Sequence, residues 1–425
     1  MNDRMIIRGG RPLIGSIVTQ GAKNAALPVM ASALLLRGGR LTLKRVPDLQ
    51  DIHTMADLLR HLGADITFAG GNMTIDVPDE LKWDTPADLV RRMRASSLVL
   101  GPLVARCGRA VLPLPGGCAI GSRPIDFHLK GLVRMGAEID LEQGSVHART
   151  GGLSATRICL DFPSVGATEN MLMTAALTPG ESVIENAARE PEISNLSQSL
   201  RLMGATVEGD GTSTIRVVGT SRLQSATVEI IPDRIEASTY LLAGVMTRGE
   251  ITVTDIVPEY LQALVCKLEE AGVPVETSGN SVSVSCKGLK WNGVTLKTLP
   301  YPGFPTDLQP QIMAALCMAE GTSVIHESVF DSRYVHVAEF KRMGGKIDIQ
   351  GNTVVVTGVH KLMGTEVRAS DLRAGAALIL MGLAAGGETV VCGLKHVWRG
   401  YESLMEKMKS IGADIELLAD DKSAV

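Results

Sequence analysis

A five-residue pattern recurs six times along the chain: LGADI at Leu62, MGAEI at Met135, MGATV at Met203, AGVPV at Ala271, MGGKI at Met343 and IGADI at Ile411. Its glycines, 63, 136, 204, 272, 344 and 412, stand 68 to 73 residues apart. A second marker, a glycine opening an apolar strand (GRLTL, GRAVL, GESVI, GEITV, GTSVI, GETVV), falls at 39, 108, 180, 249, 321 and 387 and keeps the same phase. Two independent markers in one register make six copies of a unit of about 70 residues, and such self-similarity constrains the fold more than any local signal.

Within a unit the spacing predicts an amphipathic helix, for example 52–62 with apolar residues at 52, 55, 58, 59 and 62. The motif glycine ends that helix as its C-terminal cap. Alternation in TVEIIP and NTVVVTG marks strands, and helices such as 167–177 lie between them, so the units are mixed α/β rather than a helical solenoid. ASTYLLAGVM and AGAALILMGLAAG are apolar nearly all round, which places these helices inside, with sheets packed about them. At 425 residues the chain exceeds one core. Six units divide into two sets of three near residue 230, giving one domain over 23–230 and a second over 231–425 closed by residues 1–22.

Composition bears on what such a chain binds. A net charge of −4 and an aromatic fraction of 3% supply neither the basic footprint nor the stacking platforms of a nucleic-acid partner. MNDRMIIRGG lacks the apolar core of a signal peptide, and the longest apolar run, 374–387, suits a buried helix better than a membrane span. Seven cysteines, an odd number with no CxxC pair and no histidine at zinc spacing, point to reduced cytosol, so a cytoplasmic protein without a metal site is expected.

Six of those cysteines read as small buried hydrophobes. Cys118 differs, because PGGCAIGSRPID sets it among glycines and near Arg123, in a stretch too glycine-rich for a helix interior. Mostly protonated near neutral pH, and drawn toward thiolate by a cation, this thiol serves either as proton donor or as nucleophile. Basic residues also recur in short polar settings: Lys23 in GAKNAALP, Arg94 in MRASS, Arg123, Arg333 in FDSRY, Arg373 in DLRAG and Arg399 in WRGYE. Together they match a small polyanion, since guanidinium forks and a lysine point charge hold phosphate and carboxylate. Asp307, after Pro305 in FPTDLQPQ, is either a helix cap or a base.

QGAKNAALP, RVPDLQD, MRASSLVLGPLVAR, LPGGCAIGSRPID, PSVGATENM, IENAAREPEI, IPDRIE, FPTDLQPQ, VFDSRYVHV, DLRAGAAL and RGYESLMEKM, in this order along essentially the whole chain, resemble the UDP-N-acetylglucosamine 1-carboxyvinyltransferase (MurA) family of enolpyruvyl transferases. The resemblance implies two inside-out α/β barrels of three repeats each, substrates in the cleft between them, no cofactor, and the first committed step of peptidoglycan synthesis. It implies that Lys23 and Asn24 bind phosphoenolpyruvate, that Cys118 donates the proton and reacts with fosfomycin, and that Asp307 takes the sugar hydroxyl proton. Arg123, Pro124, Ile125, Asp126, Phe127, Ser164, Val165 and Val329 match the nucleotide-sugar contacts. Arg94, Arg123, Arg333, Arg373 and Arg399 match the anion-binding arginines. Because its three glycines make the loop 115–121 costly to order while Cys118 must reach residues from both halves of the chain, the loop is expected to fold over the cleft once the nucleotide sugar is bound.

Three positions depart from the family pattern: Gln50 where many members have lysine, Phe162 where some have lysine, and Trp398 where aspartate usually precedes Arg-Gly-Tyr. They bear on the uridine-side and carboxylate-side contacts. Two other readings stand beside the main one: the sister enolpyruvyl transferase of the shikimate pathway, which has no need of a PGGC loop, and a copy that binds nucleotide sugar without turnover. An RNA-processing enzyme on related repeats is disfavoured by the acidic balance.

Overall fold

The computed structural model describes residues 3–114 and 125–418. They divide into two compact units, one of residues 21–114 and 125–231, the other of residues 3–20 and 232–418.

The six motif glycines do one job in the backbone. At Gly63 the N–H donates to the Arg60 carbonyl, and the next N–H, of Ala64, reaches back to Leu59. This is the Schellman closure of a helix, which requires a left-handed residue after the last turn. The same pair of bonds recurs after Val133, Arg201, Glu269, Lys341 and Lys409, and all six glycines have φ between +85° and +116°. A side chain would strain each turn, so the repeat is conformational as well as textual.

Each unit is built from one sequence of elements repeated three times. The first runs from a central helix (Lys23–Ser32) through a strand (Gly39–Lys44) and a second helix (Gln50–Leu62) to a hairpin (Asp65–Ala69 with Asn72–Val77). An exit strand then pairs in parallel with the next repeat's sheet: Arg157–Cys159 joins Gly180–Glu185, and Ala226–Glu229 returns to Gly39–Lys44, closing the ring of three sheets. Between the first two repeats this strand shrinks to a single parallel bridge, Asp84 to Val111.

The other unit follows the same plan, with Thr295–Lys297 joining Thr322–His326 and Glu366–Arg368 joining Glu388–Cys392. Its ring is completed from the far end of the sequence. Arg4–Arg8 lies between Glu388–Cys392 and Ile415–Leu418, and Ile14–Val18 pairs in parallel with Glu250–Thr254.

Sheets lie outside and helices inside. In Gly39–Lys44, Leu41 and Leu43 face the core while Arg40 and Lys44 face water, the period-2 pattern of a half-buried strand. The central helices have no solvent face: every residue from Ile235 to Met246 is buried, and so are those from Arg373 to Leu383. Small residues let these helices approach. A Cβ at Gly101 would lie 2.5 Å from the Thr174 hydroxyl and 2.7 Å from Asn170 Oδ1. Second helices are amphipathic as expected, Gln50–Leu62 burying Ile52, Met55, Leu58, Leu59 and Leu62. The 374–387 run lies in the buried helix Leu372–Ala384, and among the described residues no helix is long and apolar enough to cross a membrane.

Candidate active site

In the unit of residues 21–231, Lys23 opens its central helix at Ala22, where no side chain caps the N-terminus. Its side chain is 11% exposed, and Nζ lies 3.1 Å from Asp51 Oδ2, itself 5% exposed. An ammonium withdrawn this far from water needs a countercharge, and Asp51, at the start of Gln50–Leu62, supplies it. Asn24 is exposed on the first helical turn. Exposed amides at a helix start attract anions, so lysine, helix end and Asn24 together favour a phosphate or carboxylate.

Asn170, fully buried in Val165–Ala176, ties together three segments that carry expected nucleotide-sugar contacts. Its Nδ2 donates to the Ser97 carbonyl at 3.1 Å and to His128 Nδ1 at 2.7 Å, and its Oδ1 accepts from Gly101 N at 2.7 Å. Arg94 begins the helical turn that holds Ser97; Asp126 and Phe127 begin the helix that holds His128; Ser164 and Val165 begin the Asn170 helix. Burial, with the Arg94 charge added, lowers the His128 pKa to about 4, so its imidazole is neutral and Nδ1 serves as the acceptor. Ser164 caps its helix through Ala167 N, Ile125 is buried, and Lys130 lies 3.9 Å from Asp126 and 5.5 Å from the Phe127 ring.

In the other unit, Asp307 sits between two buried guanidinium groups. Arg373 Nη2 donates to its Oδ2 at 2.9 Å, and Arg333 Nη2 lies 3.8 Å from its Oδ1; the arginine side chains are 6% and 1% exposed and the aspartate 31%. Burial acts to lower the Arg373 pKa, but Asp307 and the other anionic groups nearby outweigh it and hold the group charged. Arg333 also donates to the Thr306 carbonyl at 3.0 Å and lies 4.0 Å from Asp371. Asp371 caps Leu372–Ala384 by accepting from Arg373 N and Ala374 N. Of the two readings of Asp307, the cap is excluded: Pro305 occupies the cap position of Thr306–Leu308, and no side chain caps the helix that follows. Arg399 ends the helical turn Leu394–Arg399, and the backbone of Val329 donates to Glu327.

The structure thus pairs Lys23 with Asp51 and gathers Arg333 and Arg373 around the Asp307 carboxylate. Cys118, Arg123 and Pro124 lie outside the described residues. Sequence reasoning quoted the motifs of Asp51 and Asp371 without singling out these aspartates, and it passed over Glu327, His128 and Asn170. Asp371 was detectable, since aspartate directly before an apolar helical run is a cap signal. The others act through contacts that leave no local spacing.

The family described as EPSP synthase (3-phosphoshikimate 1-carboxyvinyltransferase) matches residues 7–408. UDP-N-acetylglucosamine 1-carboxyvinyltransferase 2 of Carboxydothermus hydrogenoformans is 48% identical over 420 residues, covering 98% of this chain and 100% of its own. UDP-N-acetylglucosamine 1-carboxyvinyltransferase 1 of Halalkalibacterium halodurans is 48% identical over 419 residues, covering 98% and 95%. Among solved structures, the enolpyruvyl transferase NikO from Streptomyces tendae superposes with a TM-score of 0.89 at 27% identity, covering 98% of this chain and 99% of its own. EPSP synthase from Acinetobacter baumannii shares the fold, with a TM-score of 0.74 at 19% identity over 99% and 100% of the two chains.

Proposed function

The chain belongs to the UDP-N-acetylglucosamine 1-carboxyvinyltransferase family of enolpyruvyl transferases, and from that premise we propose that it moves the carboxyvinyl group of phosphoenolpyruvate to the 3-hydroxyl of UDP-N-acetylglucosamine, releasing phosphate. This is the first committed step of peptidoglycan synthesis, and we place it in the cytoplasm. The observation that carries the reading is likeness at 48% identity along 98% of the chain to enzymes of that name.

The reaction is an addition followed by an elimination. The sugar hydroxyl oxygen bonds to C2 of phosphoenolpyruvate while C3 gains a proton, and the hydroxyl proton passes to a base. C3 then gives up a proton, the bond from C2 to the phosphate oxygen breaks, and the double bond re-forms on the sugar ether. The substrate carries a phosphate and a carboxylate, whose desolvation without cations would be prohibitive.

Lys23, Asn24, Arg123 and Arg399 are assigned to the phosphate, and Arg333 and Arg373 to the carboxylate. The buried guanidinium groups of Arg333 and Arg373 support that assignment, being charged and forked toward one carboxylate already. Asp307 takes the hydroxyl proton and stabilises positive charge at C2 as C3 is protonated. Cys118 donates the proton to C3, an assignment that rests on the PGGC motif. Arg94, Arg123, Pro124, Ile125, Asp126, Phe127, Ser164, Val165, Asp307 and Val329 are assigned to the nucleotide sugar.

The test is a mass spectrum of UDP-N-acetylglucosamine incubated with phosphoenolpyruvate and the protein, with phosphate release followed in parallel. A product heavier by one carboxyvinyl group, with equimolar phosphate, is expected. A carboxyvinyl adduct formed from phosphoenolpyruvate and 3-phosphoshikimate, with none formed on the nucleotide sugar, would transfer the assignment to the shikimate-pathway enzyme, and binding of the nucleotide sugar without product would mark an inactive copy.

A further inference from the structure

Glu327 follows the strand Thr322–His326 and is fully buried. Its carboxylate accepts four hydrogen bonds, all from neutral donors: Oε1 takes Thr298 Oγ1 at 2.7 Å, Val329 N at 2.8 Å and Phe330 N at 3.2 Å, and Oε2 takes Thr306 Oγ1 at 3.1 Å. Burying a carboxylate without a paired cation is costly, and four donors offset that cost only in part. What the carboxylate adds is geometry.

The four donors come from three segments, Thr298, Thr306 and the turn of Val329 and Phe330. Thr298 follows the strand Thr295–Lys297 and is joined again to the turn by Ser328, whose N donates to Thr298 Oγ1 at 3.0 Å and whose hydroxyl donates to the Thr298 carbonyl. Thr306 is the residue before Asp307, and its carbonyl accepts from Arg333. Val329 lies in the turn that the two backbone bonds to Oε1 fix. One side chain therefore sets the main chain beside Asp307, at Val329 and against Arg333.

We propose that Glu327 is a positioning residue for the acceptor: through Thr306 it places the Asp307 carboxylate, and through the 328–330 turn it places the backbone at Val329, so that the nucleotide sugar is held with its hydroxyl at Asp307. The proposal rests on the assignment of Asp307 and Val329 to the acceptor made above.

Thr306→Val removes the one hydroxyl that joins Glu327 to the Asp307 segment and keeps the side chain's shape. In the full-length enzyme, with both substrates varied and phosphate release recorded, kcat should fall about tenfold or more while the KM for phosphoenolpyruvate changes by less than kcat does, because the bond removed places Asp307 and leaves the arginine side chains themselves intact. Thr306→Ser keeps the hydroxyl and should restore the rate. Glu327→Ala should raise the KM for UDP-N-acetylglucosamine as well as lower kcat. Glu327→Gln, whose Oε1 still accepts the two backbone N–H groups, should recover most of that loss.

The decisive measurement is the double variant. If Thr306 acts through Asp307, then Thr306→Val should change kcat less than about twofold in an Asp307→Asn background, since coupled residues are not additive. A full tenfold loss in that background, a Thr306→Ser as slow as Thr306→Val, or a Thr306→Val within twofold of the parent would overturn the proposal. Parental turnover by Asp307→Asn itself would show that the assignment of Asp307 is at fault, and the proposal would fall with it.

Discussion

Glu236 offers a stability measurement whose size follows from its surroundings. It lies on the central helix Arg234–Met246, fully buried, with Oε1 2.7 Å from Lys407 Nζ and Oε2 accepting from Gln20 N at 2.7 Å. Burial raises its pKa to about 7; Lys407 and the Gln20 amide pull it down, and Asp233, at the helix start, adds a small push upward. Tyr240 on the same helix feels the Glu236 charge in turn. Because the folded pKa lies above the ordinary carboxyl value of about 4.5, the folded state binds the proton more tightly than the unfolded chain. The resulting stability is fully present below about pH 4.5 and is lost as pH rises through about 7. That rise corresponds to ~3 kcal/mol, most of which falls between pH 5 and pH 8. For a domain of ~150–250 residues that is a shift in Tm of ~5–10 °C. Glu236→Gln mimics the protonated acid, keeps an acceptor for one neighbour and does not ionise. The Tm of the variant minus that of the parent, measured by scanning fluorimetry from pH 5 to pH 8, should therefore rise by that amount, in the variant's favour at high pH. A difference that stays flat across the range would refute the reasoning, because Lys407 would then hold Glu236 ionised throughout.

Three further outcomes are expected. Asp307→Asn should lower kcat by roughly 10² to 10⁴ with the fold retained, read from phosphate release alongside circular dichroism; an unchanged rate would remove it as the base. Cys118→Ala should abolish turnover and reaction with fosfomycin, while Cys118→Asp retains some rate as a substitute acid; full activity in Cys118→Ala would sink its role. Asn170→Leu leaves the Gly101 N–H, the Ser97 carbonyl and His128 Nδ1 without their partner, so it should cost ~3 kcal/mol of stability by urea titration and raise the KM for UDP-N-acetylglucosamine more than that for phosphoenolpyruvate; equal effects on both KM values would count against its tie to the nucleotide sugar.

The architecture was readable because its signals are local. A Schellman glycine follows each second helix within two residues of the last turn, and a helix buried on all sides, such as Leu372–Ala384, announces itself by lacking a polar face. Count and period then fixed six mixed α/β units. Strand partners were less accessible, because Ile14–Val18 and Glu250–Thr254 pair across more than half the chain. Among the site residues, the cations stood out as isolated charges beside glycine, alanine or proline, whereas their counterions did not. Asp51 lies 28 residues from Lys23, and Asp307 lies 66 from Arg373. Neither interval is a helix or strand period, so no pattern in the text connects them. The ambiguity at Asp307 had a similar origin: a residue after proline near a helix start suits a cap more readily than a base, and the cap falls away only because Pro305 holds that position.

In each unit a buried cation is already paired with an aspartate, and this bears on how a substrate carrying a phosphate and a carboxylate is received. Lys23 already has Asp51, and Arg373 already has Asp307. A bare buried cation would pay the full cost of desolvation; an ion pair avoids that, at the expense of part of its attraction for an incoming anion. On the assignment of these cations to phosphoenolpyruvate proposed above, its binding is an exchange of partners more than a simple capture. At Arg373 the exchange has a chemical use. A carboxylate arriving from the substrate competes for the N–H groups that donate to Asp307 at 2.9 Å, and each such bond that is surrendered leaves the aspartate oxygen freer to accept the hydroxyl proton. On the assignments proposed above, the aspartate that pairs with Arg373 before the reaction becomes available as the base once phosphoenolpyruvate is in position, which would link general-base action to occupancy of that site.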